Sequence, residues 1–281
     1  MRVFKYWAKG SADVETNRGE WTLECFGGSN TSLEDAARRA VEKARRAAEA
    51  VRMGNEPDRY GYADRPLREE VVQEILQGDT PVAVITRNSH GSLVLNTANT
   101  MFVDIDYKSE SSLVALKRFF GKLFGKRVPG QDEEILSRIA QTVESIHGFG
   151  VRVYRTASGY RCLVTSGTFD PRSSETIILL ERFGSDPLYV KLCKVQECFR
   201  ARLTPKCWRC GVPRPPTRFP WRDEEHEARY RAWEKSYLHR SKSYATCDFV
   251  TTFGTESARD TVREIVSIHD KFTCTGAGEL A

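Results

Sequence analysis

The chain has 281 residues, of which 40% are hydrophobic and 29% charged. That composition excludes wholesale disorder, collagen and a disulfide miniprotein, and no apolar run reaches the roughly 18 residues of a membrane span. Lys and Arg number 43 against 38 Asp and Glu, a net charge of +5 that suits a polyanionic partner without requiring one. Residues Met1 to Trp7 contain no apolar core of a secretory signal. The eight cysteines lie partly in apolar patterns such as Tyr160-Arg161-Cys162-Leu163-Val164, so the expectation is a cytoplasmic protein with reduced thiols and no membrane partner.

In chain order, Arg2 to Ala8 and Trp21 to Phe26 read as strands, and Gly27-Gly28-Ser29-Asn30 as a break with some capacity to bind an anion through its amides. Ser32 with Asp35 marks a helix start. Ala36, Ala40, Val41, Ala44, Ala48 and Val51 continue a helical stripe to about Met53. Residues 54–66 read as loop and Arg68 to Gln77 as a short helix. Three strands are expected at Pro81 to Thr86, Ser92 to Asn96 and Thr100 to Tyr107, the first two joined at Asn88-Ser89-His90-Gly91. Helices follow at about 111–125 and 132–147. A hairpin over Val151 to Thr165 turns at Ala157-Ser158-Gly159. Further helices are expected at about 173–183 and 186–199, an irregular stretch at 203–222, and a charged helix at 222–240. A late strand at Cys247 to Phe253 and a helix at Glu256 to Lys271 complete the pattern. The fold class is α+β, a central, mostly antiparallel sheet with flanking helices. A soft boundary separates an N-terminal α+β region, 1–78, from a core with a helical C-terminal extension, 79–281.

The sharpest local feature is Met101-Phe102-Val103-Asp104-Ile105-Asp106-Tyr107. Alternation along a strand puts Asp104 and Asp106 on one side, with apolar neighbours on the other. Two adjacent carboxylates repel unless a cation lies between them, and Mg²⁺ or Mn²⁺ accepts such oxygens together with phosphate. Arg152, Arg155 and Arg161 concentrate charge at the later hairpin, where Thr156 and Ser158 add hydroxyls. Arg200, Arg202, Lys206 and Arg209 follow, a density that suits phosphates. Trp208, Trp221 and Trp233, with Tyr230, Tyr237 and Tyr244, interleave with basic residues. Helix packing is the favoured account of them, with base stacking as the alternative. Cys207-Trp208-Arg209-Cys210 has zinc-ligand spacing, but no second pair follows. Only Cys247, His226 or His239 could complete a site, so two unligated thiols are favoured over zinc.

The order of two acids on a strand, a Ser-Gly turn and a Phe-Arg…Thr-Pro-Lys segment resembles the archaeo-eukaryotic primase (primase-polymerase) superfamily over about residues 100–210. The resemblance implies a primase-like, RRM-like catalytic core in which Asp104 and Asp106 bind the divalent metal. It implies a nucleotide contact at Ser158-Gly159, where the family's following His is absent and Arg161 stands nearby. A third acid is implied on a later element, with Glu197 or Asp248 available. The expected site is Asp104, Asp106 and Glu197 for catalysis, with Arg155, Ser158, Arg161, Arg200, Arg202 and Lys206 binding phosphate. The expected activity is a metal-dependent nucleotidyltransferase acting on nucleic acid or a nucleoside triphosphate. The alternatives are a nucleic-acid-binding protein without activity and a metal-dependent nuclease or phosphodiesterase.

Overall fold

The computed structural model describes residues 1–16, 19–55, 65–108, 129–256, 259–274 and 278–281. The chain begins with a long antiparallel hairpin, β1 (Tyr6–Thr16) and β2 (Gly19–Ser29), covered by helix α1 (Leu33–Arg52). Ser32 caps α1, its hydroxyl accepting from the Asp35 N–H at 3.1 Å. The buried stripe of the helix is Ala36, Ala40, Ala44 and Ala48. Methyl-sized side chains bring the helix backbone down onto the hairpin, and glycine is then required beneath it. A Cβ on Gly27 would lie 2.2 Å from the Ala36 carbonyl oxygen, and one on Gly10 would lie 2.5 Å from the Val41 nitrogen. The Gly-Gly stretch is therefore strand, not a break. Its anion-binding capacity is also taken up: the Ser29 hydroxyl donates to Asp35 at 2.6 Å, which places a carboxylate at the helix N-terminus.

Two four-stranded antiparallel sheets form the rest of the core. In chain order the strands are β3 (Glu70–Gln77), β4 (Thr80–Arg87), β5 (Leu93–Thr97), β6 (Phe102–Asp106), β7 (Gly150–Thr156), β8 (Gly159–Val164), β9 (Phe199–Arg202) and β11 (Cys247–Gly254). One sheet has the order β11-β7-β8-β6 and the other β3-β4-β5-β9. The short strands β10 (Tyr244–Ala245) and β12 (Glu279–Leu280) pair in parallel. The other helices are α2 (Gln131–Glu144), α3 (Ser174–Phe183), α4 (Pro187–Gln196), α5 (Glu224–Ser241) and α6 (Asp260–Thr273), with a 3₁₀ turn at Cys207–Cys210. The fold is thus α+β with mostly antiparallel sheets. One apolar core joins them, including Ala83, Ile85, Leu95, Phe199 and Ala201 from one sheet and Phe102, Val103, Val153 and Leu163 from the other.

Two expectations change. Arg68 to Gln77 is not a helix but β3, and its pairing with β4 carries one sheet across the 78/79 boundary. The helix expected at about 186–199 ends at Gln196, and Phe199–Arg202, between it and the irregular stretch at 203–222, forms strand β9, paired with β5. The helix expected at about 111–125 lies outside the described residues. The N-terminal segment is tied to the rest by the Arg2 N–H, which donates to the Gln196 carbonyl at 2.7 Å, and by Lys5–Glu74 at 2.7 Å, while the Gln196 side chain holds the stretch before β3, accepting from the Leu67 N–H and donating to the Arg65 carbonyl.

Candidate phosphoryl-transfer cleft

The two sheets meet edge to edge where β6 lies beside β9. An edge strand exposes unpaired amides and carbonyls that must be satisfied. On β6 the start of α4 does this. The Asp104 carbonyl accepts from the Asp186 N–H at 2.8 Å and from the Ser185 hydroxyl at 3.1 Å. The Tyr189 hydroxyl spans the two edges, donating to the Phe102 carbonyl at 3.1 Å and accepting from the Arg200 N–H at 3.3 Å. Beyond Tyr189 the strands carry Asp104 and Asp106 on one side and Arg202 and Lys206 on the other.

Asp104 faces Arg161 across the β6–β8 ladder, and Asp106 faces Gly159. Both acids therefore lie on the sheet face that carries Arg161. Neither carboxylate forms a hydrogen bond or ion pair among the described residues. Partial burial raises the Asp106 pKa, and the negative charges of Asp104 and Asp186 raise it further. The cations mirror this. Burial draws Arg202 down to about 10, with Arg161 adding to the effect. Burial likewise lowers Lys206, helped by Arg202 and Arg209. Each set is strained by like charge, and the fields of the acids and the bases reach one another without a direct pair. Arg202 still carries its full charge at neutral pH.

Behind the acids, a buried chain of groups fixes Arg161. Its Nη1 donates to the Arg202 carbonyl at 2.9 Å and lies 3.3 Å from His269 Nε2. Arginine has no acceptor, so Nε2 accepts and the imidazole proton sits on Nδ1, which lies 3.0 Å from Asp270 Oδ1. Burial holds His269 at a pKa of about 4, which keeps it neutral. Asp270 also accepts from the Tyr154 hydroxyl at 2.7 Å and from Arg152 at 3.0 Å. At the turn, Arg209 donates to the Ser158 hydroxyl.

The structure thus brings together Asp104, Asp106, Arg161, Arg202 and Lys206, with Ser158 reached through Arg209. Three expected residues lie elsewhere. Arg155 has the opposite strand parity from Tyr154, which pairs with Arg161, so it projects from the other sheet face and pairs with Asp132 at 3.4 Å. Arg200 turns away from the cleft, binding both Glu69 oxygens at 2.7 and 2.9 Å and Asn96 Oδ1 at 2.6 Å. Glu197 caps α4 in a left-handed conformation, φ 53°, and pairs with Arg2 at 3.0 Å. It lines a separate cavity of about 340 Å³ with Asn99, Asp170 and Arg172. Its alternative, Asp248, is exposed and sits opposite Arg155 on β11. Cys207 and Cys210 are free and buried, packed with Val212, Tyr237 and Ala281. Among the described residues no three His, Cys, Asp or Glu side chains are grouped to hold a metal ion.

Sequence reading missed Asp186, Tyr189, His269 and Asp270. Asp186-Pro187 carries a helix-start signal, but nothing local assigns that start to the Asp104 edge. His269 shows only as one position on a helix face. No protein-family model, curated protein or solved structure matches the chain. Among the described residues no helix is long and apolar enough to cross a membrane.

Proposed function

We propose that the cleft between β6 and β9 is a metal-assisted phosphoryl-transfer site for a nucleoside triphosphate, and that the chain is a divergent primase-like nucleotidyltransferase. One observation carries this reading: in one cleft, Asp104 and Asp106 stand opposite Arg202 and Lys206, and among the described residues none of these four side chains makes a hydrogen bond or ion pair. A divalent cation together with a polyanion relieves both strains at once. Asp104 and Asp106 offer hard oxygen donors and fit Mg²⁺ or Mn²⁺. Such an ion would lower the pKa of an attacking hydroxyl and neutralise charge on the leaving phosphates. Arg202 and Lys206 would bind phosphate oxygens, Arg202 being held in place where Arg161 grips its carbonyl. Arg209 would orient the Ser158 hydroxyl at the mouth.

The test is calorimetry with Mn²⁺, alone and with a nucleoside triphosphate. Asp104→Asn and Asp106→Asn should each weaken Mn²⁺ binding at least tenfold while the fold persists. Lys206→Ala should weaken the triphosphate and spare Mn²⁺. Equal Mn²⁺ affinity in wild type and both Asn variants would overturn the reading. A non-catalytic nucleotide-binding role is the second reading, favoured by the separate positions of Glu197 and Asp248, neither of which stands at the pair as the third acid of the family pattern would. Single-turnover incorporation on a primed template decides between the two, and hydrolysis of the template strand would point to a nuclease instead.

A further inference from the structure

Next to Lys206 the charge does not stop. Arg214 and Arg218 are exposed on the loop after the 3₁₀ turn, and neither makes an ion pair or hydrogen bond among the described residues. Together with Lys206 and Arg202 they act on His90, whose pKa falls through burial first and then through these four positive charges. His90 Nδ1 is itself buried without a hydrogen-bond partner. Over this group lies Trp208, 43% exposed. His90 meets its edge at a centroid distance of 4.9 Å, and Lys206 and Arg214 each lie 5.5 Å from its centre. The other tryptophans of this region serve packing: Trp233 stacks on Tyr237 at 5.2 Å, and Trp221 packs on Tyr230 at 4.8 Å. Trp208 is the indole of this group left largely open to solvent.

We infer that Trp208, Lys206, Arg214 and Arg218 form a binding path for single-stranded nucleic acid leading into the cleft, with a base stacked on the indole and the backbone phosphates on the cations. An exposed aromatic ring among cations that make no ion pair among the described residues matches an unpaired base followed by its phosphate. In a duplex each base face is already covered by its neighbours, so a duplex offers the indole nothing to stack on. Lys206 belongs to both surfaces, which makes the path continuous with the acids. The inference rests on the phosphoryl-transfer reading for its role but not for its existence, because the strand needs no metal.

The experiment is a titration of a fluorescent 20-mer of thymidylate, and of the corresponding uridylate, in EDTA across a salt series. Duplex of the same length and heparin serve as competitors. Trp208→Ala should weaken binding roughly 5- to 150-fold, the range of one base–aromatic stack, and leave the salt slope unchanged. Trp208→Phe should restore much of the loss. Arg214→Ala/Arg218→Ala should reduce the slope of log affinity on log salt by about 1.4, two contacts at about 0.7 each for a single strand. A Trp208→Ala protein that binds like wild type would overturn the path, as would duplex binding as tight as single strand. Asp104→Asn should bind the strand like wild type. A wild-type protein that binds the strand but not Mn²⁺ would sink the phosphoryl-transfer reading alone, and one that binds Mn²⁺ but not the strand would sink the path alone.

Discussion

Arg200 and Arg202 stand two residues apart, and the structure gives them opposite roles. Replacing Arg200 by Met tests this directly. The Arg200 and Glu69 side chains are only 7% and 6% exposed. Without the guanidinium, Glu69 keeps the Thr86 hydroxyl at 2.5 Å as its remaining side-chain donor, and Asn96 Oδ1 loses its 2.6 Å charged donor. Removing one member of a buried pair leaves an uncompensated charge and costs about 3–5 kcal/mol. Adding Glu69→Gln removes that charge, so the double variant should be destabilised by less than the sum of the two single changes. Arg202→Met should cost under about 1 kcal/mol or even stabilise, because it relieves crowding with Arg161. The assay is urea unfolding of the wild type and the four variants at one pH, accepting comparisons only where the slope m is unchanged. An Arg200→Met cost below about 1 kcal/mol, or strict additivity with Glu69→Gln, would refute the argument. So would a stable Arg200→Met protein that has lost triphosphate binding, since Arg200 would then be a ligand-binding residue.

Gly27→Ala drives a methyl into the Ala36 carbonyl and the Ala40 nitrogen, 2.2 and 2.5 Å away, both of which are backbone. The expected loss is about 1–3 kcal/mol or more, read as lost amide-exchange protection in β1, β2 and α1, whereas Gly130→Ala, with nothing within 4 Å, should be neutral in the same measurement. His269 titrates near 4 in the folded protein instead of the usual 6.5. Because the unfolded chain takes up that proton first, stability should fall as pH drops from about 6.5 towards 4. By pH 4.5 the loss amounts to about 2–3 kcal/mol. Urea midpoints between pH 7.5 and 4.5 should show this slope in wild type, and His269→Gln should flatten it. An equal slope in both proteins would mean that another group is responsible.

Where chemistry is local, the sequence is readable. The Ser32 cap, the alanine stripe of α1, both core hairpins and the shared side of Asp104 and Asp106 all follow from periods of 3.6 or 2 and from turn residues. β3 misleads for a physical reason. Its apolar residues, Val71, Val72, Ile75 and Leu76, recur at helical spacing, because a register shift after Val71 leaves Val72 as an extra residue in β3, and a second shift after Ile75 puts the extra residue, Val82, in β4. Bulges of this kind erase the two-residue alternation. β9 is hidden by its length of four residues and by an arginine whose charge is neutralised by Glu69, 131 positions earlier. The cleft itself is long-range. Asp104 comes within the field of Arg202 only because two sheets converge, and His269 reaches Arg161 across 108 positions of sequence. Composition placed arginines near acids, but it could not separate Arg202, free in the cleft, from Arg155 and Arg200, already paired elsewhere.

The Tyr189 hydroxyl is the nearest thing to a rivet between the two sheets at this seam. Adjacent strands in one sheet are held at a fixed spacing by a ladder of amide bonds. Here that spacing is set by the reach of one phenol, with the chain of α4 behind it. The gap between acids and cations is therefore an adjustable dimension. Changes in how α4 seats its first turn would move the two walls together or apart while every ligand-facing residue stayed the same. A lineage of such proteins could retune the size of what the cleft accepts through residues that never touch it.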